Sequence, residues 1–254
     1  MKNILRSVII AISLLVSSAY TYSQSTAEFE KGASFYTDGN YKEALNTWLS
    51  IYNSGHHSAN LDYNIGNAYF KLGDIPNSIL FFERAYLLDP ADENINYNLQ
   101  IARSMTVDKF QEIPELFFIK WFNLISLSIG SNTWAIISIS SFLLCLAFLS
   151  LFIYSSVYSR KVAGFWLAIA FFIFSVSAIF FSWQNRTLVH DSHKAIITVP
   201  QINGKSSPDV SGTDLFIIHE GTKVTTGEKV GEWIEITLSD GNKGWIPAGS
   251  LNII

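Results

Sequence analysis

Residues 134–158 and 162–183 contain no charged side chain, and only Ser159, Arg160 and Lys161 separate them. About 20 apolar residues cross a hydrocarbon core of about 30 Å. The two runs, 25 and 22 residues long, therefore predict a pair of transmembrane helices joined by a tight turn. Trp134, Tyr154, Tyr158 and Trp183 stand near the ends, where amphipathic rings favour the membrane–water boundary. Arg160 and Lys161 predict a cytoplasmic turn, which places both flanking segments outside. The competing charges, Lys109, Lys120 and Arg186, are sparse.

Neither run holds Asp, Glu, Lys, Arg or His, and intramembrane acids and bases usually mark ion paths or proton relays, so a transporter is disfavoured. Ser138, Ser140, Ser141, Ser150, Ser155, Ser175 and Ser177 admit two readings: bonds between the helices, or bonds back to their own carbonyls. Cys145 is the sole cysteine, so there is no disulfide framework and no cysteine-built metal site. Only 15% of residues are charged, against about 25% in soluble domains. The net charge of −4 with no basic block gives no reason to expect nucleic acid.

The N-terminus has Lys2 and Arg6 before the apolar stretch Val8–Val16, then small residues. This predicts a secretory signal peptide over residues 1–23, with Ser17 and Ala19 at the −3 and −1 positions of a cleavage site. An uncleaved anchor helix is the alternative. In a bacterium either one exports the segment that follows.

That segment repeats itself at a spacing of 34. Gly32 pairs with Gly66, Phe35 with Tyr69, Gly39-Asn40 with Gly73-Asp74, Trp48 with Phe82, and Tyr63-Asn64-Ile65 with Tyr97-Asn98-Leu99. Each unit reads as two helices: a glycine suited to a left-handed cap, then Asn40 or Asp74 as N-cap of the second helix, with Pro76 in its first turn. Gly32 and Gly66 fall inside first helices, where a missing side chain lets the partner helix approach. Asp62 and Glu93 read as charges favoured by helix N-termini.

Residues 25–105 thus resemble the tetratricopeptide repeats. The second unit matches best, through Gly66, Tyr69, Phe82, Ala85 and Pro90. The first departs at Glu28 and His56, and the third has only its first helix, with Gln100 in the glycine position. So short an array predicts that something else covers part of it. The resemblance implies peptide binding on the concave side. Projected onto this chain, that side holds Phe29, Ala33, Tyr36, Tyr63, Asn67, Phe70, Asn94, Asn98 and Ile101. In some relatives such asparagines hold a peptide backbone; the alternative is that Asn67 and Asn98 merely face solvent or cap a turn. The lysines with which some relatives clamp a terminal carboxylate are replaced by Tyr63 and Asn94, so recognition of a chain end is not expected.

Residues 106–133 connect the array to the hairpin. Their run "IPELFFIKWFNLISLSIG" is an interfacial helix or, alternatively, a lid under the array. A linker over 184–193 would reach at most about 35 Å. From residue 194 the texture turns to short β-rich runs with glycine turns, predicting a small all-β barrel. Leu215-Phe216, His219-Glu220-Gly221-Thr222, Gly231-Glu232-Trp233 and Asp240-Gly241-Asn242-Lys243-Gly244-Trp245-Ile246 occur in the order of bacterial SH3-like domains, which residues 194–254 resemble. Trp233 and Trp245 read either as core and barrel-closing residues or as a contact surface, and Phe216 as core.

The chemistry of catalysis is not visible. His190-Asp191-x-His193 lies in the linker without a further ligand, His56-His57 reads as a loop, and there is no phosphate-binding loop or nucleophile–base constellation. No cofactor or metal is expected. The order signal peptide, tetratricopeptide array, two-helix transmembrane hairpin, SH3-like barrel resembles BatE-type proteins of the Bacteroides aerotolerance group. That resemblance implies a non-catalytic, two-pass inner-membrane adaptor with both soluble domains on the periplasmic side. Its implied partners are von Willebrand A-domain membrane proteins and a MoxR-type ATPase system, in a stress or aerotolerance complex. The alternative is a cell-wall sensor whose barrel binds peptidoglycan peptides.

Overall fold

The computed structural model describes residues 26–109, 116–190 and 193–254, so the predicted signal peptide lies outside the described residues. The first part is a run of paired helices: α1 (26–37), α2 (Tyr41–Asn53), α3 (Ala59–Leu72), α4 (Ile75–Leu88) and α5 (Glu93–Ser104). The 34-residue spacing is visible in its turns. Gly39 and Gly73 both take left-handed φ, 79° and 81°. In each turn the following residue's N–H returns to the first helix, Asn40 to Phe35 and Asp74 to Tyr69. That closure satisfies carbonyls the helix would otherwise leave orphaned. Ser58, Asp74 and Asp92 cap the next helices with their side chains. Asn40 stands at the N-cap of α2 without such a bond, a departure from expectation.

The repeat is also visible in the packing. A Cβ on Gly32 would lie 2.4 Å from the Trp48 indole, and one on Gly66 would lie 2.7 Å from the Phe82 ring. Trp48 and Phe82 are almost wholly buried and, with Ile65, Ile79 and Leu99, form the helical core. Glycine at these two positions is what lets a large ring on α2 or α4 press against the neighbouring helix.

Next come α6 (Phe117–Leu127), α7 (Ser131–Tyr154) and α8 (Tyr158–His190). The last two are long and apolar enough to cross a membrane. Their turn occupies Ser155–Val157 rather than the predicted 159–161, so Arg160 and Lys161 lie in the first turn of α8. The Ser138 and Ser175 hydroxyls each donate to the other's carbonyl at 3.0 Å. Ser141, Ser150 and Ser177 instead bond back to their own helix. At Gly164 an added Cβ would meet the Phe148 carbonyl and the Phe152 backbone, so the helices touch there almost backbone to backbone. The expected linker is a second departure, because α8 continues to His190 and strand β1 begins at Lys194. Continuing an existing helix costs little per added residue, and nothing in 184–190 breaks it.

The C-terminal part is an antiparallel sheet of β1 (Lys194–Ile197), β2 (Gln201–Lys205), β3 (Asp214–His219), β4 (Lys223–Val230), β5 (Trp233–Thr237), β6 (Lys243–Pro247) and β7 (Leu251–Ile253). Its strand order is β3-β2-β6-β5-β4-β1-β7. Ala195, Ile197, Ile218, Ile236 and Ile246 fill its core, with Phe216 packed against them as expected. Strand β1 serves two cores: successive side chains point to opposite faces, and Ile196 faces the helical core while its neighbours face the sheet's own.

The sheet domain is docked on the helical array. Glu83 of α4, 2% exposed, pairs with Arg103 of α5 and with Lys223 of β4 at 2.7 Å. Asp108 accepts bonds from the His219 backbone N–H and the Thr222 hydroxyl, both at 2.7 Å, and its second oxygen lies 2.9 Å from His219 Nδ1. The Arg84 guanidinium donates to the Ile253 carbonyl at 2.6 Å. The covering segment that a short array requires is thus the chain's own C-terminal domain.

Candidate functional site: the groove of the paired helices

The first helices of successive units turn one side away from the second helices, leaving a groove of about 380 Å³. Tyr36 comes from α1, Tyr63, Asn67, Phe70 and Lys71 from α3, and Asn98 and Ile101 from α5, with Phe82 of α4 as floor. The i, i+4 and i+7 spacing of Tyr63, Asn67 and Phe70 puts them on one helical face. The Asn98 amide nitrogen donates both to the Tyr63 hydroxyl and to Asn67 Oδ1, each at 2.9 Å. These bonds hold the three side chains in fixed orientations. Asn67 Nδ2 and Asn98 Oδ1 have no hydrogen-bond partner among the described residues, leaving a donor and an acceptor at the groove.

The aromatic wall is fixed too. Tyr36 packs edge-on to Tyr41 at 5.1 Å between centroids, and burial, with smaller contributions from Tyr41 and Tyr63, pushes its hydroxyl pKa up. It therefore stays a neutral phenol. Lys71 is exposed at the groove and forms no ion pair among the described residues.

Six of the projected residues meet here: Tyr36, Tyr63, Asn67, Phe70, Asn98 and Ile101. Phe29 and Ala33 do not line the groove. Phe29 packs on Trp48 and accepts its indole N–H at 3.2 Å, and Ala33 packs against the same core. Asn94 is exposed in the first turn of α5, where its backbone N–H is capped by Asp92. Lys71 and Phe82 were not anticipated in the groove. Lys71 follows Asn67 by four residues, which is the signal that could have found it.

On the sheet, Trp233 pairs with Pro247 and Trp245 with Glu235, while Ile234, Ile236 and Ile246 point into the core. The two tryptophans are half-buried on the opposite face, so the core reading does not hold for them. Asp62 stands in the first turn of α3, as expected, but it is buried there, 2% exposed, and its Oδ1 lacks a partner among the described residues. Burial raises its pKa to about 7 against the opposing pull of Arg84. Glu83 is the contrary case: burial pushes its pKa up, but Lys223 and Arg103 prevail and hold it low.

The groove presents amides, phenols and an ammonium, groups that donate and accept hydrogen bonds and carry one positive charge. Among the described residues no cluster of three His, Cys, Asp or Glu is placed to hold a metal. No family model matches the chain, and no curated protein is significantly similar to it.

Proposed function

We propose that this chain is a non-catalytic, membrane-anchored adaptor whose groove holds an extended segment of a partner protein. The observation that carries the reading is the locked Tyr63–Asn67–Asn98 set, which offers one donor and one acceptor between aromatic walls. A peptide backbone presents the complementary pair, and rigid side chains lose little entropy on binding it. Lys71 favours segments bearing a carboxylate nearby.

In this reading α7 and α8 span the bacterial inner membrane, with Arg160 and Lys161 at the cytoplasmic turn and both other domains in the periplasm. The paired helices are a tetratricopeptide array and the sheet an SH3-like domain. The resemblance to BatE-type proteins nominates von Willebrand A-domain membrane proteins, working with a MoxR-type ATPase system, as partners. The test is co-purification from detergent extracts with the wild type and with Tyr63, Asn67 and Asn98 all changed to Ala. Loss of at least one partner, with helical content retained, is expected. Undiminished recovery of every partner overturns the groove assignment.

The outward-facing Trp233 and Trp245 favour a second reading, in which the sheet contacts peptidoglycan peptides. Full-length protein should then sediment with purified sacculi and W233A/W245A should not; failure of the wild type to sediment removes this reading.

A further inference from the structure

Helix α6 is apolar almost all round, and only part of it is covered. Phe122 packs on Phe180 and Phe181 of α8 with centroids 5.4 and 5.2 Å away. One turn further, Gln184 Nε2 donates to Asn123 Oδ1 at 3.3 Å, and Asn185 donates to the Ser126 carbonyl at 2.9 Å. The Trp134 indole N–H donates to that same carbonyl at 3.1 Å. The covered side of α6 therefore straddles the place where α8 passes from phenylalanines to amides. Its other sides expose Phe117 (84%), Phe118, Ile119, Trp121 (67%) and Leu124. Lys120 is the only charged side chain in the helix.

We propose that this exposed surface is buried in the lipid headgroup–acyl boundary of the outer leaflet, making α6 a third membrane contact that holds the helical array at the bilayer. The inference rests on the reading of α7 and α8 as membrane spans. Eleven residues are too few to cross a bilayer. The surface is continuous with the apolar face of the hairpin, and it lies at the apolar-to-polar boundary of α8. Trp121 and the exposed Trp183 are the residue type that concentrates at that depth. A lysine among aromatics suits the boundary, since its ammonium reaches the headgroups while its stem stays in the acyl region. The lid alternative for this segment is set aside, because the contacts that fix α6 are with the hairpin.

The test places a nitroxide singly at Phe117→Cys, Trp121→Cys, Phe174→Cys and Glu93→Cys in full-length protein carrying Cys145→Ala. Each variant is reconstituted in nanodiscs of equal parts phosphatidylcholine and phosphatidylglycerol. Collisional accessibility to oxygen and to a water-soluble nickel chelate reports depth. The expected oxygen-to-nickel ratio at 117 and 121 is severalfold above that at 93 and below that at 174. A ratio at 117 and 121 equal to that at 93 overturns the proposal. Exclusion of both relaxants at these sites, the sign of a protein or second-copy contact, overturns it as well. If position 174 itself reads as water, the membrane reading falls and this proposal with it.

Discussion

Gly66 shows how a single residue sets a helix–helix distance. Its missing Cβ is the space in which the Phe82 ring sits. Gly66→Ala is expected to lower stability by about 1–3 kcal/mol through overpacking, read by thermal melting against Gly73→Ala as a control for backbone strain alone. Asp62 sets a pH dependence. Its folded pKa of about 7 exceeds the model-compound value of 3.8. The folded state therefore holds the proton longer than the unfolded one, and stability from this group falls as pH rises from about 4 to about 7, by roughly 3–4 kcal/mol. Asp62→Asn should flatten that part of the curve in chemical denaturation; an unchanged slope would show that Asp62 is not the titrating group. Glu83 has the opposite sign, so its contribution is present above the ordinary glutamate range and lost on acidification through its lowered pKa. Glu83→Gln removes the negative charge that Lys223 and Arg103 share at this contact. Because both cations still reach solvent, the expected loss is about 1–3 kcal/mol, below the range for a fully buried pair.

At the scale of elements, the paired helices and the two long apolar helices are readable from local pattern. A 34-residue period repeats the same left-handed glycine turns and the same glycine–aromatic contacts, and an uncharged run of more than twenty residues leaves little choice. Boundaries are less readable. The hairpin turn shifted to Ser155–Val157 because serine and valine break no rule that arginine and lysine do not also break, and charge marks a side of the membrane rather than a residue at which a helix stops. The side to which Trp233 and Trp245 point could not be read either. Strand β5 has large apolar residues at 233, 234 and 236, so alternation alone does not say which side is core. Gly164 was likewise missed, since nothing in a run of apolar residues announces a backbone contact. Gly164→Leu should separate α7 from α8 at that level and reduce disulfide crosslinking between cysteines introduced at Phe148 and Phe171, whose rings stack at 5.4 Å. Crosslinking at the wild-type level would contradict the close crossing.

For the whole molecule, the important unreadable feature is the docking of the two outer domains. Its contacts join Glu83 to Lys223 and Asp108 to His219 and Thr222, pairs more than a hundred positions apart with no periodic signature. With the sheet fastened to α4 and to the segment after α5, and only three residues between the end of α8 at His190 and the start of β1 at Lys194, the groove is carried at a set place relative to the hairpin. The groove is partly legible: its α3 residues follow helical spacing, whereas Phe29 was drawn into the core by Trp48. The central claim is that this groove holds a partner segment. A photo-crosslinking amino acid placed at Phe70 in full-length protein in living cells tests it most directly. The account predicts a discrete adduct from position 70 that is lost when Asn67 and Asn98 are both changed to Ala. Absence of any adduct at 70, or an adduct indifferent to those two asparagines, would contradict it.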